Sequence, residues 1–172
     1  MNTAERTSVY LGLGSNLGDR QGFLQKALHL IEELPETSVQ RASSIYETEP
    51  WGEADQGSFF NAVVEIRTAL NPTDLLVAVK NIEVRMGRVS VQRNGPRIID
   101  IDILLYGSEV MEDDQLCIPH PFLPQRLFVL TPLRELAGSA LHPVEHATIE
   151  EMAVRCPDTG KVWKTDIRLQ LC

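Results

Sequence analysis

Two aspartates, Asp100 and Asp102, interrupt an otherwise aliphatic stretch, GPRIIDIDILLYG, at residues 95–107. Because side chains alternate between the faces of a strand, both carboxylates lie on one face of the strand that this stretch predicts, about 6.5 Å apart at their Cα atoms. Their repulsion costs roughly 2–3 kcal/mol at an effective dielectric constant of about 20. A bound cation would remove that cost, so the pair is a candidate metal site.

A positively charged segment leads into the two aspartates. Between residues 80 and 97 five basic residues stand against one acid, Glu83, which gives a local net charge of +4 in a chain whose formal net charge is -8. The five are Lys80, Arg85, Arg88, Arg93 and Arg97. Such a compact cluster suits a small polyanion such as a phosphate chain. The acidic chain as a whole lacks the basic surface that nucleic acids and anionic membranes require, so we expect neither partner.

The acidic pair and the basic segment together favour metal and phosphate chemistry. Magnesium is usually held by one or two carboxylates plus substrate phosphates, and two acids on one strand face can bind a pair of metal ions about 3.5–4 Å apart. Two other interpretations stay open, namely a solvated polar strand face and an acid and base pair for glycoside hydrolysis. The second leaves the arginines without a role, and an aromatic content of 6% supplies few sugar-binding rings.

Further candidates lie outside the acidic pair. His120, between two prolines, and Arg126 could complete a polyphosphate site with the upstream arginines. Phe59 and Phe128 are core residues by default, although two aromatic rings can also sandwich a flat heterocycle. Asn61 carries a donor and an acceptor that could bind the amide edge of such a ring. Spacing alone does not choose between these roles.

The first elements to position these residues are a strand and a helix. Residues 8–16 predict a strand that runs into a glycine-rich turn at Gly14 and Gly18. We interpret this turn as structural, because the stretch lacks the lysine and the serine or threonine of a phosphate-binding P-loop. Asp19 can cap the helix that follows, and Pro35 ends it.

Two strands, a second helix and a further strand follow. Residues 38–48 and 59–70 predict two strands that pair antiparallel. Thr73 can cap a second helix, which Gly87 closes. The stretch at residues 95–107 then supplies a fourth strand.

The resulting order of strand, helix, strand, strand, helix, strand predicts an α+β protein with a ferredoxin-like βαββαβ core, in which helices cover one face of an antiparallel sheet. The aliphatic face of the fourth strand should pack under the helices; its residues are Ile99, Ile101, Ile103 and Leu105. Asp100 and Asp102 should point the other way. The remaining proline-rich third predicts a C-terminal extension of loops and short helices laid against this core.

Composition predicts one globular domain spanning residues 1–172, with 43% hydrophobic and 23% charged residues. A basic leader followed by an apolar run is not evident, and no apolar stretch approaches the roughly 18 residues of a membrane span. We therefore expect a cytoplasmic protein. Three widely spaced cysteines predict neither a disulfide framework nor a zinc site.

Six stretches of the chain resemble the 6-hydroxymethyl-7,8-dihydropterin pyrophosphokinases of folate biosynthesis. In chain order they are LGLGSNLGDR from Leu11, ETEPWG from Glu47, FFNAVVEI from Phe59, GR from Gly87, GPRIIDIDILLYG from Gly95 and IPHPFLPQRLFVLTPL from Ile118. The resemblance covers about residues 9–133. Its most specific part is GPR followed by D-x-D and, further on, by P-H and an arginine.

The resemblance implies an enzyme that transfers the pyrophosphoryl group of ATP, its co-substrate, to the hydroxymethyl oxygen of the dihydropterin and releases AMP. It implies that Asp100 and Asp102 bind two Mg²⁺ ions. The implied catalytic residues are Arg88, Arg97, Asp100 and Asp102. The implied nucleotide-binding residues are Glu83, Arg88, Arg97, His120 and Arg126. The implied pterin-binding residues are Thr48, Trp51, Phe59, Asn61 and Phe128.

Two other functions stay open beside this one. A ferredoxin-like regulatory module that binds a small ligand without turnover would not need Asp100 and Asp102. A nucleotidyl transferase using the same metals would release pyrophosphate rather than AMP. We expect a monomer in each case, because no long apolar strand edge or heptad seam is evident.

Overall fold

The computed structural model describes residues 5–50, 55–89 and 95–172. Within these ranges the chain forms strands and helices in the following order: β1 (Thr7–Ser15), α1 (Arg20–Glu32), β2 (Thr37–Ala42), β3 (Ser44–Thr48), β4 (Phe59–Thr68), α2 (Pro72–Arg85), β5 (Asp100–Tyr106), β6 (Met111–Glu112), β7 (Cys117–Ile118), α3 (Leu127–Ala137), α4 (Ile149–Val154) and β8 (Val162–Arg168).

The main sheet is antiparallel, with its strands in the order β5-β1-β4-β3-β8 and β2 also paired to β4. With β2 and β3 counted as one divided strand, the elements from β1 to β5 follow the predicted βαββαβ order, so the ferredoxin-like α+β fold is confirmed. Strands β6 and β7 form a separate short hairpin. Strand β1 thus lies between β4 and β5, the strand that carries the two aspartates.

The strand predicted at residues 38–48 is divided at Ser43 into β2 and β3. The Ser43 N–H donates to the Val63 carbonyl at 2.8 Å, and the Ser43 hydroxyl accepts from the Val63 N–H at 2.9 Å. Because a side-chain oxygen here replaces a backbone carbonyl in the ladder, the register of the pairing with β4 breaks. Strand β3 then continues beside β4 and pairs with β8 on its other side.

The two helices of the core begin with side-chain caps. Asp19 accepts a hydrogen bond from the first turn of α1, as predicted. The predicted cap of α2, Thr73, is wrong, because Asn71 Oδ1 accepts from the Asp74 N–H at 2.9 Å. Pro72 then occupies the first turn, where a missing N–H costs nothing because that group has no partner within the helix.

Helices α1 and α2 pack on one face of the sheet and α3 and α4 on the other. The predicted inward residues Ile99, Ile101 and Ile103 belong to the first core. The same prediction for Leu105 is wrong: Leu105 packs in the second core, and Tyr106 takes its place in the first. The reason is an irregularity in the β1–β5 pairing, which shifts the alternation of β5 near its end.

The C-terminal third contains α3 and α4, as the prediction of short helices required, but it also contains β8, which the sequence did not predict. Strand β8 lies at an edge of the sheet and exposes most of its residues, so it lacks the apolar alternation by which a strand is identified. None of the helices within the described ranges is long and apolar enough to cross a bilayer.

Candidate functional site

The register of the sheet places the two aspartates on the same face as two glycines and Asn61. Gly14 of β1 lies opposite Asp100 on one side and opposite Asn61 on the other, while Gly12 lies opposite Asp102. A cavity lies over this row, between the sheet and α3. Its lining includes Thr48, Phe59, Asn61, Arg97, Asp100, Asp102, Arg126 and Phe128. Most residues predicted for the two substrates therefore surround one cavity.

Gly14 is required for the shape of this cavity. A Cβ atom on Gly14 would lie 2.8 Å from Asn61 Oδ1 and 3.7 Å from the Phe59 ring. The interpretation of Gly14 as a turn residue is wrong, since it lies within β1, whereas Gly18 does adopt a turn conformation with φ +62°. A signal was available in the sequence: Gly12 and Gly14 have the same two-residue spacing as the aspartates that they face.

Asp100 bridges two arginines. Its Oδ1 accepts from Arg88 Nη1 and its Oδ2 from Arg97 Nη1, each at 2.9 Å. Arg88 Nη1 also donates to Glu83 Oε2. Burial opposes the charge on Arg88, but these two carboxylates outweigh burial and raise the pKa of Arg88. Two of the three arginines predicted to bind the nucleotide, Arg88 and Arg97, are thus held beside the predicted metal ligand.

Asp102 has a different environment from Asp100. No residue that the structure describes donates a hydrogen bond to its carboxylate, although that carboxylate lines the cavity. Burial, followed by repulsion from Asp100, raises the pKa of Asp102 to about 6, even though Lys80 and Arg126 act in the opposite direction. At neutral pH Asp102 is therefore mainly an ionised group with no direct cationic partner among the residues that the structure describes.

Glu83 is buried and joins α2 to β5. Its Oε1 accepts from the Ile101 N–H at 2.7 Å and from Lys80 Nζ at 3.0 Å, while its Oε2 accepts from Arg88. Lys80 Nζ also donates to the Ile101 carbonyl at 3.0 Å. Glu83, predicted from the resemblance to lie near the nucleotide, thus also anchors the acidic strand and Arg88.

Asn16 contributes to the site but was not identified from the sequence. Its Oδ1 accepts from the Arg97 N–H at 2.8 Å, and its own N–H donates to the Arg97 carbonyl at 3.1 Å. Its Nδ2 donates to Gln56 Oε1 at 3.0 Å. Asn16 thereby joins the end of β1 to the segments that precede β4 and β5. The one sequence feature that indicated such a role is the polar pair Ser15 and Asn16 at the end of the apolar stretch.

The predicted pterin-binding residues come from opposite walls of the cavity. Asn61 and Thr48 are buried on neighbouring strands, where Asn61 Nδ2 donates to Thr48 Oγ1 at 2.7 Å. Phe59 lies on β4 and Phe128 on α3, so an aromatic ring is available on each wall. The Arg97 guanidinium lies 5.8 Å from the centre of the Phe59 ring, which places a phosphate-binding candidate next to this half of the cavity.

His120 and Arg126 lie near one another and near Asp100, as their electrostatic interactions show. Arg126 lines the cavity with the aspartates, whereas His120 lines a neighbouring cavity beside the β6–β7 hairpin. Burial, followed by the nearby Arg126, lowers the pKa of His120 to about 4, so its ring is neutral at pH 7. Trp51, predicted to contact the pterin, and Arg93 lie outside the described residues.

The acidic pair determines what kind of metal site is available. Within the described ranges no group of three or more His, Cys, Asp or Glu residues is placed to hold a metal ion. Two carboxylates alone leave most coordination positions of a hard divalent cation to substrate oxygens and water, which is the usual arrangement for Mg²⁺ with phosphate substrates. The Asp102 carboxylate, which forms no ion pair with another described residue, provides negative charge for such an ion.

A family of known proteins matches this arrangement of sequence and fold. The sequence model of the family described as 7,8-dihydro-6-hydroxymethylpterin-pyrophosphokinase matches residues 10–138. The 2-amino-4-hydroxy-6-hydroxymethyldihydropteridine pyrophosphokinase of Bacillus subtilis is 43% identical over 91% of this chain and 90% of its own length. The protein of the same name from Methylorubrum extorquens is 46% identical over 90% of this chain and 96% of its own length.

Longer proteins contain a region similar to this chain. A folic acid synthesis protein of Dictyostelium discoideum is 41% identical over 94% of this chain, which spans 24% of that protein. Among solved structures, wild-type HPPK-DHPS of Plasmodium falciparum superposes with a TM-score of 0.71 at 19% identity. The match covers 90% of this chain and 44% of that one, and at this identity it establishes the fold.

Proposed function

Because the chain belongs to the 7,8-dihydro-6-hydroxymethylpterin-pyrophosphokinase family, we propose that it transfers the pyrophosphoryl group of ATP to 6-hydroxymethyl-7,8-dihydropterin, with release of AMP, in folate biosynthesis. The observation that carries this proposal is the cavity itself, in which two carboxylates and two arginines lie next to a pair of aromatic rings and a buried amide. The carboxylates and arginines suit a metal-bound triphosphate, and the aromatic rings and the amide suit a flat heterocycle.

The acidic pair supports a role for Mg²⁺ in this reaction. Asp100 and Asp102 would hold the metal, and two ions are expected from the spacing of the two acids on one strand face. When bound, the metal neutralises phosphate charge and orients the triphosphate. The two aspartates fit a magnesium ion, because Asp102 is mainly ionised at neutral pH and has no direct partner among the described residues.

The arginines would bind the phosphates. Arg88 and Arg97 pair with Asp100 in the free protein, and their guanidinium groups would bind phosphate oxygens of the nucleotide. Arg126 approaches the same cavity from the opposite wall. Planar guanidinium groups match phosphate geometry and keep their charge, so three of them can stabilise the charge that moves onto the leaving AMP.

The pterin-binding half would hold the acceptor in position. Asn61 and Thr48 offer donors and acceptors to the amide edge of the ring, while Phe59 and Phe128 offer stacking faces. The hydroxymethyl oxygen would then bond to the β-phosphorus, and release its proton to solvent, as the bond from that phosphorus to the oxygen shared with the α-phosphate breaks. No nucleophilic side chain is needed, because this chemistry depends mainly on positioning and on charge stabilisation.

The test replaces Asp100 and Asp102 singly with Asn and measures the products of ATP plus 6-hydroxymethyl-7,8-dihydropterin. We expect AMP formation to fall by on the order of 10²-fold or more in each variant, because each retains the side-chain shape but loses the charge that binds the metal. Asp166→Asn is the matched control, since Asp166 is an exposed strand aspartate on β8. Turnover like that of the unaltered protein in both site variants would contradict the metal assignment.

The identity of the products separates the remaining alternatives. Release of AMP supports pyrophosphoryl transfer, whereas release of pyrophosphate would indicate a nucleotidyl transferase. Binding of both substrates without either product would indicate a regulatory module. We further propose that the protein acts as a monomer in the cytoplasm, and sedimentation equilibrium over a range of protein concentrations would test the first part of this statement.

A further inference from the structure

Helix α3 forms one wall of the cavity, and its distance from the sheet determines the width of the cavity. Phe128 and Pro132 line the cavity from this helix. Glu135 continues the same stripe at the next helical spacing, because positions i, i+4 and i+7 share one face of a helix. The side chain at Glu135 therefore faces the sheet just beyond the end of the cavity.

Glu135 binds directly to β3, the strand that carries Thr48. Its Oε1 accepts from the Ser44 N–H at 2.9 Å and from the Ser44 hydroxyl at 3.0 Å, and its Oε2 accepts from the Tyr46 hydroxyl at 2.6 Å. Tyr46 lies opposite Asn61 in the strand register. A single carboxylate thus joins the helix that carries Phe128 to the strand pair that carries the buried amide and hydroxyl.

The other end of α3 is held by a residue from the C-terminal segment. Arg126, at the start of this helix, forms no side-chain cap. Instead, Asp158 Oδ2 accepts from the Leu127 N–H at 3.0 Å, and its Oδ1 accepts from the Gly160 N–H at 2.8 Å. Because Leu127 immediately precedes Phe128, this contact fixes the start of α3 and with it the position of the Phe128 ring.

We propose that Glu135 and Asp158 are positioning residues for the pterin site, which hold α3 at the separation from β3 and β4 that a single flat ring requires. Neither residue lines the cavity that contains the aspartates, so each acts through Phe128 and through the Thr48–Asn61 pair. The inference rests on the proposed function and identifies which contacts outside the cavity determine the affinity for the pterin.

The environment of these groups supports a rigid connection. Although burial of Glu135 acts in the opposite direction, hydrogen bonds from Tyr46 and Ser44 lower its pKa, so it accepts these bonds as a carboxylate at neutral pH. Hydrogen bonds to an ionised acceptor are shorter and stronger than those between neutral groups. Arg41 adds a neighbouring contact by donating to the Leu136 carbonyl at 2.9 Å.

The experiment compares pterin affinity with nucleotide affinity in Glu135→Ala and Asp158→Asn. The probe is 6-hydroxymethylpterin, titrated with Mg²⁺ and a non-hydrolysable ATP analogue present, and the analogue with Mg²⁺ is titrated separately. We expect the Kd of the pterin to rise about tenfold, the equivalent of one lost positioning contact, while the Kd of the analogue changes less than about twofold. Glu135→Gln should recover part of the loss, because its amide can still accept from Ser44 and donate to Tyr46.

Glu32→Ala is the matched control for a purely structural effect. Glu32 Oε2 accepts from the Val39 N–H at 2.6 Å, so it also joins a helix to a strand, but it does so on the opposite face of the sheet. If Glu135→Ala and Asp158→Asn lower Tm as Glu32→Ala does and leave the Kd of the pterin unchanged, the inference is wrong. If Glu135→Ala does not fold, Tyr46→Phe tests the same contact by removing only a hydroxyl, with a weaker pterin Kd expected and an unchanged one overturning the inference.

The unaltered protein distinguishes this inference from the function on which it rests. If it binds the pterin and the variants bind equally well, the positioning role fails and the proposed function stands. If the unaltered protein does not bind the pterin under any of these conditions, the proposed function fails and the inference falls with it.

Discussion

At the scale of single residues, the site depends on where side chains are missing as much as on where they are present. Gly14 leaves the space in which Asn61 Oδ1 lies on β4, and Gly12 faces Asp102 in the pairing of β1 with β5. Asp100 and Asp102, although two residues apart, have different partners, because among the described residues arginines pair with Asp100 and not with Asp102. The two acids therefore differ in how readily each exchanges its present contacts for a metal ion.

Gly14→Ala should weaken pterin binding by about tenfold or more, because the added methyl group would lie 2.8 Å from Asn61 Oδ1 and would force the amide to move. Nucleotide affinity should change much less. Gly12→Ala is the comparison, since the nearest atoms to its methyl group would be those of the Leu104 side chain, at 3.4 Å. Isothermal titration of both variants measures the difference, and equal pterin affinities would contradict a role for Gly14 in shaping the site.

At the scale of elements, sequence periodicity predicted the βαββαβ core because each of its strands and helices has an apolar face. It failed where another interaction decided the structure. Ser43 divides a strand through a side-chain bond to Val63, and β8 forms at an exposed edge without an apolar pattern. The acidic face of β5 could be predicted from alternation, but its neighbours on β1 and β4 required the register of the sheet. Glu135 and Asp158 carried no local signal, because their partners lie on other elements.

The cap of α2 offers a test at this scale. Asn71→Ala should lower the free energy of unfolding by about 0.5–2 kcal/mol, because it removes the acceptor for an N–H of the first turn. Thr73→Ala should change it by less than about 0.5 kcal/mol, because Thr73 is exposed and does not cap the helix. Urea denaturation followed by circular dichroism compares the two variants. A larger loss of unfolding free energy for Thr73→Ala would indicate that Thr73 caps the helix, as the sequence predicted.

The contact between α3 and β3 predicts a dependence of stability on pH. The pKa of Glu135 is lowered in the folded protein, so its contribution is complete above its ordinary pKa of about 4.5 and is lost as the pH falls through the lower, folded value. Glu135→Gln should therefore be less stable than the unaltered protein at pH 7, and this difference should shrink as the pH falls below about 4. Denaturation series at several pH values measure it, and a difference that stays constant with pH would exclude an ionised Glu135 as the cause.

At the scale of the whole molecule, one cavity combines residues from β1, β3, β4, β5 and α3 with the segment that contains Arg97. Ligands that bind across these elements stabilise the folded chain by mass action. Mg²⁺ with a non-hydrolysable ATP analogue should raise Tm, and addition of 6-hydroxymethylpterin should raise it further. Removing Mg²⁺ with EDTA should abolish most of the first increase. An increase that is the same with and without Mg²⁺ would contradict a metal-bound triphosphate.

The position of β1 in the sheet affects how the chain folds while it is being synthesised. Strand β1 pairs with β4 and β5, whose residues begin more than 40 positions further along the chain, so both partners emerge from a ribosome after it does. Chains dominated by such distant pairings fold slowly and expose apolar strands meanwhile. Asp158, which accepts from the Leu127 N–H beside Phe128, is synthesised later still. A nascent chain should therefore become resistant to proteases before it can retain a pterin.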